Sequence, residues 1–162
     1  MTRTIAIETL TPGGFAAYGD VIEAVGDPDM IINQAMCERY HDRALIDLDN
    51  DGGRAGISVF KATVRAVPHL LDMMERHPLG SQTFVPMAAD PFLVIVASDL
   101  NGRPHEPKAF LTKPGQGVNY HRGIWHGVLT PLHEPGLFTV IDRIGPGNNL
   151  EEHWFDEIYE VR

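Results

Sequence analysis

The chain has 162 residues, 43% of them apolar and 22% charged, which is enough apolar material for a sizeable core and excludes a disordered chain. Its formal charge of −9 disfavours nucleic acid and anionic membrane surfaces as partners, and no apolar run approaches the roughly 20 residues of a membrane helix. The single cysteine, Cys37, excludes an internal disulfide and a cysteine-based zinc site; with no apolar leader behind Met1-Thr-Arg-Thr, residues 1–162 read as one cytoplasmic domain.

Sixteen glycines and twelve prolines suit short strands joined by turns. Residues 1–25 form a lead-in, with Phe15-Ala-Ala-Tyr18-Gly19-Asp20 ahead of a short strand at Val21-Ile22. Residues 26–54 are irregular, punctuated by Gly26-Asp-Pro28, Asn33-Gln34 and Asp51-Gly52-Gly53. Alternation then predicts a strand over 57–65, with Ile57, Val59 and Lys61 on one side and Ser58, Phe60 and Ala62 on the other. Residues 67–77 fit two patterns: Leu70, Leu71 and Met74 make a helical stripe, while Leu71, Met73, Glu75 and His77 make one face of a strand. The strand is preferred, because Pro68 and Pro78 bracket too few residues for a helix. It sets Glu75 and His77 side by side. Further strands are predicted at Thr83–Met87, Phe92–Ser98, Lys108–Thr112, Trp125–Leu129 and Leu137–Ile144, with a tight turn at Asp99-Leu-Asn101-Gly102. Asn149–Tyr159 reads as a helical turn with Glu151 and Glu152 near its positive end. The order of elements describes a closed or sandwich-like antiparallel β fold with few and short helices.

Two segments concentrate chemistry: Glu75-x-His77-x4-Gln82 and His121-x-Gly123-x-x-His126. Their spacing resembles the two signature motifs of the cupin barrel, a jelly-roll fold in which three histidines and one glutamate bind a divalent metal. Here Glu75 stands for the first histidine, Gln82 for the glutamate and His121 for a proline. Glu75, His77, Gln82 and His126 are thus a candidate metal set, weakened because a neutral amide is a poor donor.

Longer words narrow the resemblance. Leu10-Thr-Pro-Gly-Gly-Phe15-Ala-Ala-Tyr18-Gly19-Asp20, Ile32-Asn33-Gln34 with Glu38-Arg39-Tyr40-His41, Met74-Glu75-Arg76-His77-Pro-Leu-Gly-Ser81-Gln82, Gly117-Val-Asn119-Tyr120-His121-Arg122-Gly123-Ile-Trp125-His126 and Val140-Ile-Asp142-Arg143 resemble the ureidoglycolate lyases over nearly the whole chain. The resemblance implies a cytoplasmic homodimer of cupin barrels that splits ureidoglycolate into glyoxylate and urea in allantoin breakdown. It also suggests nickel as a cofactor.

The residues can be weighed against that chemistry on their own terms. Ureidoglycolate is a hemiaminal whose central carbon bears a hydroxyl, a ureido nitrogen and a carboxylate. Losing urea requires removal of the hydroxyl proton and protonation of the departing nitrogen, work suited to groups that titrate near neutrality. His126, His77, His121 and Glu75 supply that inventory. Glu75 is open to three roles: metal ligand, general base, or partner of Arg76 or Arg143. Arg122 or Lys61 is expected to receive the substrate carboxylate. Gln82 is expected to point into the lumen, and Asn119 either meets the substrate amide or serves a turn. Tyr120 and Trp125 are expected to pack. His41, His69, His105, His133 and His153 lie outside the strong words and are read as surface or structural. Two rival functions remain: an amidohydrolase acting on the same molecule and cutting its ureido group to ammonia and carbon dioxide, and a non-catalytic cupin that senses a small carboxylate.

Overall fold

A computed structural model describes residues 3–162, so Met1 and Thr2 of the N-terminal argument lie outside it. In chain order the elements are β1 (Arg3–Ile5), β2 (Ile7–Thr9), α1 (Pro12–Phe15), β3 (Gly19–Ile22), β4 (Met30–Ile32), β5 (Cys37–Arg39), β6 (Arg54–Lys61), β7 (His69–Arg76) and β8 (Gln82–Pro86). They continue as β9 (Phe92–Leu100), β10 (Arg103–Leu111), β11 (Gly117–Tyr120), β12 (Trp125–His126), β13 (Thr130–Pro131), β14 (Leu137–Ile144) and β15 (Glu151–Val161). A 3₁₀ turn at Asn50–Gly52 precedes β6.

One sheet runs β1-β15-β7-β12-β9-β10-β2, with β13 beside β9; the other runs β3-β11-β8-β14-β6. The pairing is antiparallel except where β1 meets β15 and β2 meets β10. The two sheets face each other across a lumen, the arrangement of a cupin-like barrel. Val94, Val96 and Phe110 from the larger sheet meet Val118, Phe84 and Val140 from the smaller one, with Phe15 of α1 closing an end. The alternate residues of β9, Leu93, Ile95 and Ala97, join a second cluster with Leu71, Trp125 and Val161. Strand β9 is therefore buried on both faces, which is why its sequence is a continuous apolar run and not an alternating one.

The strand reading of residues 67–77 holds, as β7 shows. The helical turn expected at Asn149–Tyr159 does not form: those residues begin β15, which pairs with β7 from Glu151↔Arg76 to Val161↔His69. Aromatic and β-branched residues at Trp154, Phe155, Ile158 and Tyr159 suit a pleated surface, and β7 needs a partner on that side. Extra residues between Trp154 and Tyr159 shift the register and break the period that a sequence pattern would reveal. The strand expected at Trp125–Leu129 is interrupted after His126. The irregular stretch 26–54 contains an unexpected hairpin, β4 with β5, which pairs with no other strand among the described residues.

Candidate active site

The site grows from two rows of side chains facing across the lumen. On the larger sheet, β7 and β12 pair so that Glu75 lies opposite His126, and Glu152 of β15 lies on Glu75's other side. On the smaller sheet, Tyr120 pairs with Gln82, and Asp142 follows on the next strand. The inward alternation of Phe84, Val118 and Val140 fixes those three to the lumen face. His77 stands where the chain crosses from β7 to β8, between the rows.

His126 is 2% exposed, and its ring stacks flat on Tyr120 with centroids 4.4 Å apart. Its Nδ1–H donates to the Gly127 carbonyl at 3.0 Å, which leaves Nε2 as a lone pair. That Nε2 is buried and has no hydrogen-bond partner among the described residues. Burial, with His77 close by, pushes the imidazole down to about 3, so His126 is neutral throughout the physiological range.

His77 repeats the pattern. Its Nδ1–H donates to the Asn149 carbonyl at 2.7 Å, which turns the Nε2 lone pair toward Gln82 Oε1 at 3.1 Å and Glu75 Oε1 at 3.9 Å. The amide cannot simply flip, because Gln82 Nε2 donates to Asp142 Oδ2 at 3.3 Å and an ionised carboxylate only accepts. Two acceptors therefore face each other, and either a proton on Nε2 or a cation among these atoms must resolve the repulsion. Ligand atoms of Glu75, His77 and His126 all lie within 4.8 Å of one another. Two imidazoles whose Nδ1–H groups are tied to backbone carbonyls, plus a carboxylate and an amide oxygen, form a donor set suited to a divalent transition metal. The orphaned Nε2 of His126 is the observation that fits such an ion best. Burial raises the proton affinity of Glu75, Glu152 adds to this, and His77 offsets part of it. Tyr120 is held protonated by burial and by the charge of Glu75.

The whole chain from residue 2 to 162 matches the family model for ureidoglycolate lyase. The chain belongs to the ureidoglycolate lyase family. Relatives bearing that name include proteins of Rhodobacter capsulatus, 55% identical over 92% of each chain, and Chelativorans sp., 50% identical over 98% of this chain and 96% of the relative. A third, from Mesorhizobium japonicum, is 49% identical over 99% of this chain and 98% of its own.

Within this family member the lumen gathers Glu75, His77, Gln82 and His126, but four other sequence candidates lie elsewhere. His121 turns its Nε2 to Asp20 at 3.0 Å. Asn119 is buried on the outer face of the smaller sheet, accepting from Thr83 Oγ1 and donating to Asp20 and the Leu45 carbonyl. Asn119 sits out of phase with Tyr120 on β11, which sends it away from the lumen, and His121 lies just past the end of that strand. Arg122 is held in a forked pair by Asp47. Lys61 pairs with Leu137 on an edge, five residues from Gly56 opposite Asp142, about 16 Å along the strand.

Glu75 pairs with neither arginine proposed for it. Arg76 bonds Glu151 and Asp99 and lies over Trp125, while the buried Arg143 donates to the carbonyls of Asn50, Asp51 and Pro146. Arg143 thereby ties the turn at Asn50 and Asp51 to β14. Sequence reasoning missed Asp142 as a lumen residue. The signal was present: Phe138, Val140 and Asp142 alternate, and the first two are core.

Proposed function

We propose that this chain splits ureidoglycolate into glyoxylate and urea, acting as a carbon–nitrogen lyase of the amidine-lyase type. The observation that carries the reading is the convergence of ligand atoms from Glu75, His77 and His126 in a half-buried lumen, with the His126 Nε2 unpartnered among the described residues. No water is consumed. The hydroxyl loses its proton, the C–N bond breaks as the aldehyde C=O forms, and the nitrogen leaves as urea once protonated.

Glu75 is the proton carrier in this scheme. Its raised proton affinity makes it a better base than a solvated carboxylate, and its two oxygens can span the hydroxyl and nitrogen borne by one carbon. The proton taken from oxygen is the proton returned to nitrogen, so the site is reset after each turnover. His126 cannot supply it, being neutral. His77, Gln82 and His126 would hold a divalent metal beside Glu75, leaving the carboxylate free to carry the proton, with nickel the ion the family resemblance suggests. Such an ion supplies Lewis-acid polarisation of the substrate oxygens. The imidazoles and the amide hold their orientation through the carbonyls of Gly127 and Asn149 and through Asp142, which favours a pre-organised site.

The working form is a homodimer of single-domain barrels. Edge strand β6 leaves Ile57 75% and Val59 62% exposed, and the unpaired hairpin leaves Met36 86% exposed, more apolar surface than an isolated acidic protein favours. A cytoplasmic setting agrees with the lone free thiol. The test is product analysis on fresh racemic ureidoglycolate, corrected for spontaneous decay. Glyoxylate and urea in equal amounts are expected. Ammonia without urea would instead make the chain an amidohydrolase, and binding without turnover would make it a sensor.

A further inference from the structure

We propose that Asp142 is the specificity-determining residue of the lumen, reading the ureido group of the substrate; this rests on the reaction assigned above. Strand β14 sends Asp142 inward beside Gln82, and its Oδ2 accepts one N–H of the Gln82 amide at 3.3 Å. The other oxygen, Oδ1, has no hydrogen-bond partner among the described residues, and the amide keeps a second N–H. The pair therefore offers an acceptor beside a donor. A ureido group presents the complement along one edge, an N–H beside a C=O.

Orientation follows from charge. On the opposite wall the Glu75 carboxylate and the His126 Nε2 lone pair are acceptors and cannot donate to a ureido carbonyl. Asp142 repels a carboxylate and attracts the ureido N–H groups. The substrate is held with its ureido end against Gln82 and Asp142 and its carboxylate turned away from them. This places the leaving nitrogen between Asp142 and the proton carrier Glu75.

The test uses three probes that are not turned over: hydantoate, which has the ureido and carboxylate groups but no hydroxyl, and the two products, urea and glyoxylate. Binding of each is measured by calorimetry on the wild type and Asp142→Asn, with metal content and thermal unfolding followed in parallel. Hydantoate and urea should weaken about tenfold or more, the range for loss of a charged hydrogen bond, while glyoxylate is unchanged or tighter. For ureidoglycolate itself the loss should appear mainly in KM. An equal loss for all three probes would make Asp142 a support for Gln82 and overturn the proposal, as would no change for urea and hydantoate. Asp142→Ser removes the same charge if the Asn variant folds poorly. Hydantoate binding by a wild type that does not turn over ureidoglycolate would sink the reaction and leave Asp142's role standing. Turnover with unaltered hydantoate affinity in Asp142→Asn would sink Asp142's role alone.

Discussion

Replacing His126 by Phe separates the site's chemistry from its packing. Phe keeps the ring that stacks on Tyr120 but removes both nitrogens. Deleting the buried, unpartnered Nε2 relieves a penalty of about 1–3 kcal/mol. Losing the Nδ1–H bond to the Gly127 carbonyl costs about 0.5–1.5 kcal/mol, and more if the carbonyl finds no other donor. The opposed changes should leave stability within about 2 kcal/mol of the wild type. Metal binding behaves differently, since one of three convergent ligand atoms is gone. With nickel at 100 times its dissociation constant, the wild type should gain about 2.7 kcal/mol. For a chain of this size that raises the unfolding midpoint by about 5–11 °C. His126→Phe should show no such rise at the same concentration, and its turnover should fall with the metal, by about 10². The assay is thermal unfolding with and without nickel, beside glyoxylate release. A variant with wild-type turnover, or one destabilised by more than about 4 kcal/mol, would show that His126 is a structural residue.

Three further outcomes follow from the same geometry. A His126 side chain that binds its proton at about 3 when folded and at 6.5 when unfolded makes the unfolded state the better proton acceptor below 6.5. Its contribution to stability is therefore present above pH 6.5 and is lost as pH falls, by about 2 kcal/mol between pH 7 and 5; denaturant titrations of the metal-free wild type and His126→Phe should differ by that slope, and parallel curves would contradict it. Glu75→Gln should lower kcat/KM by about 10² to 10⁴ and abolish the acid limb of the wild-type profile, a limb expected above the ordinary value of 4.5 because burial raises Glu75. An active Glu75→Gln enzyme would remove the proton carrier. Ile57→Asp combined with Val59→Asp should halve the mass measured by light scattering, whereas a wild type already monomeric would refute the edge-strand dimer.

The parts of this protein legible in its sequence are those governed by one strand and its period. The apolar run of β9 announced a central strand, and the spacing that singled out Glu75, His77, Gln82 and His126 corresponds to their places on or just beyond inward strand positions. Phase was not legible. Asn119 and His121 neighbour Tyr120 in sequence, yet a period of two sends Asn119 to the opposite face, held by Asp20 and the Leu45 carbonyl, while His121 lies past the end of β11 and also meets Asp20. Arg122 was likewise captured by Asp47, in a segment with no pattern to place it over the sheet. The turn expected at Asn149–Tyr159 failed because the pairing demand of β7 is nonlocal, and the register shift in β15 concealed its alternation.

The most direct test of the central claim follows the fate of the ureido carbon. Ureidoglycolate labelled there with carbon-13 is given to the purified protein and watched by NMR at enzyme levels that outrun spontaneous decay. The account predicts that the label moves into urea as glyoxylate appears in equal amount, and that Glu75→Gln slows both together. Label arriving in bicarbonate, with ammonia released, would contradict it.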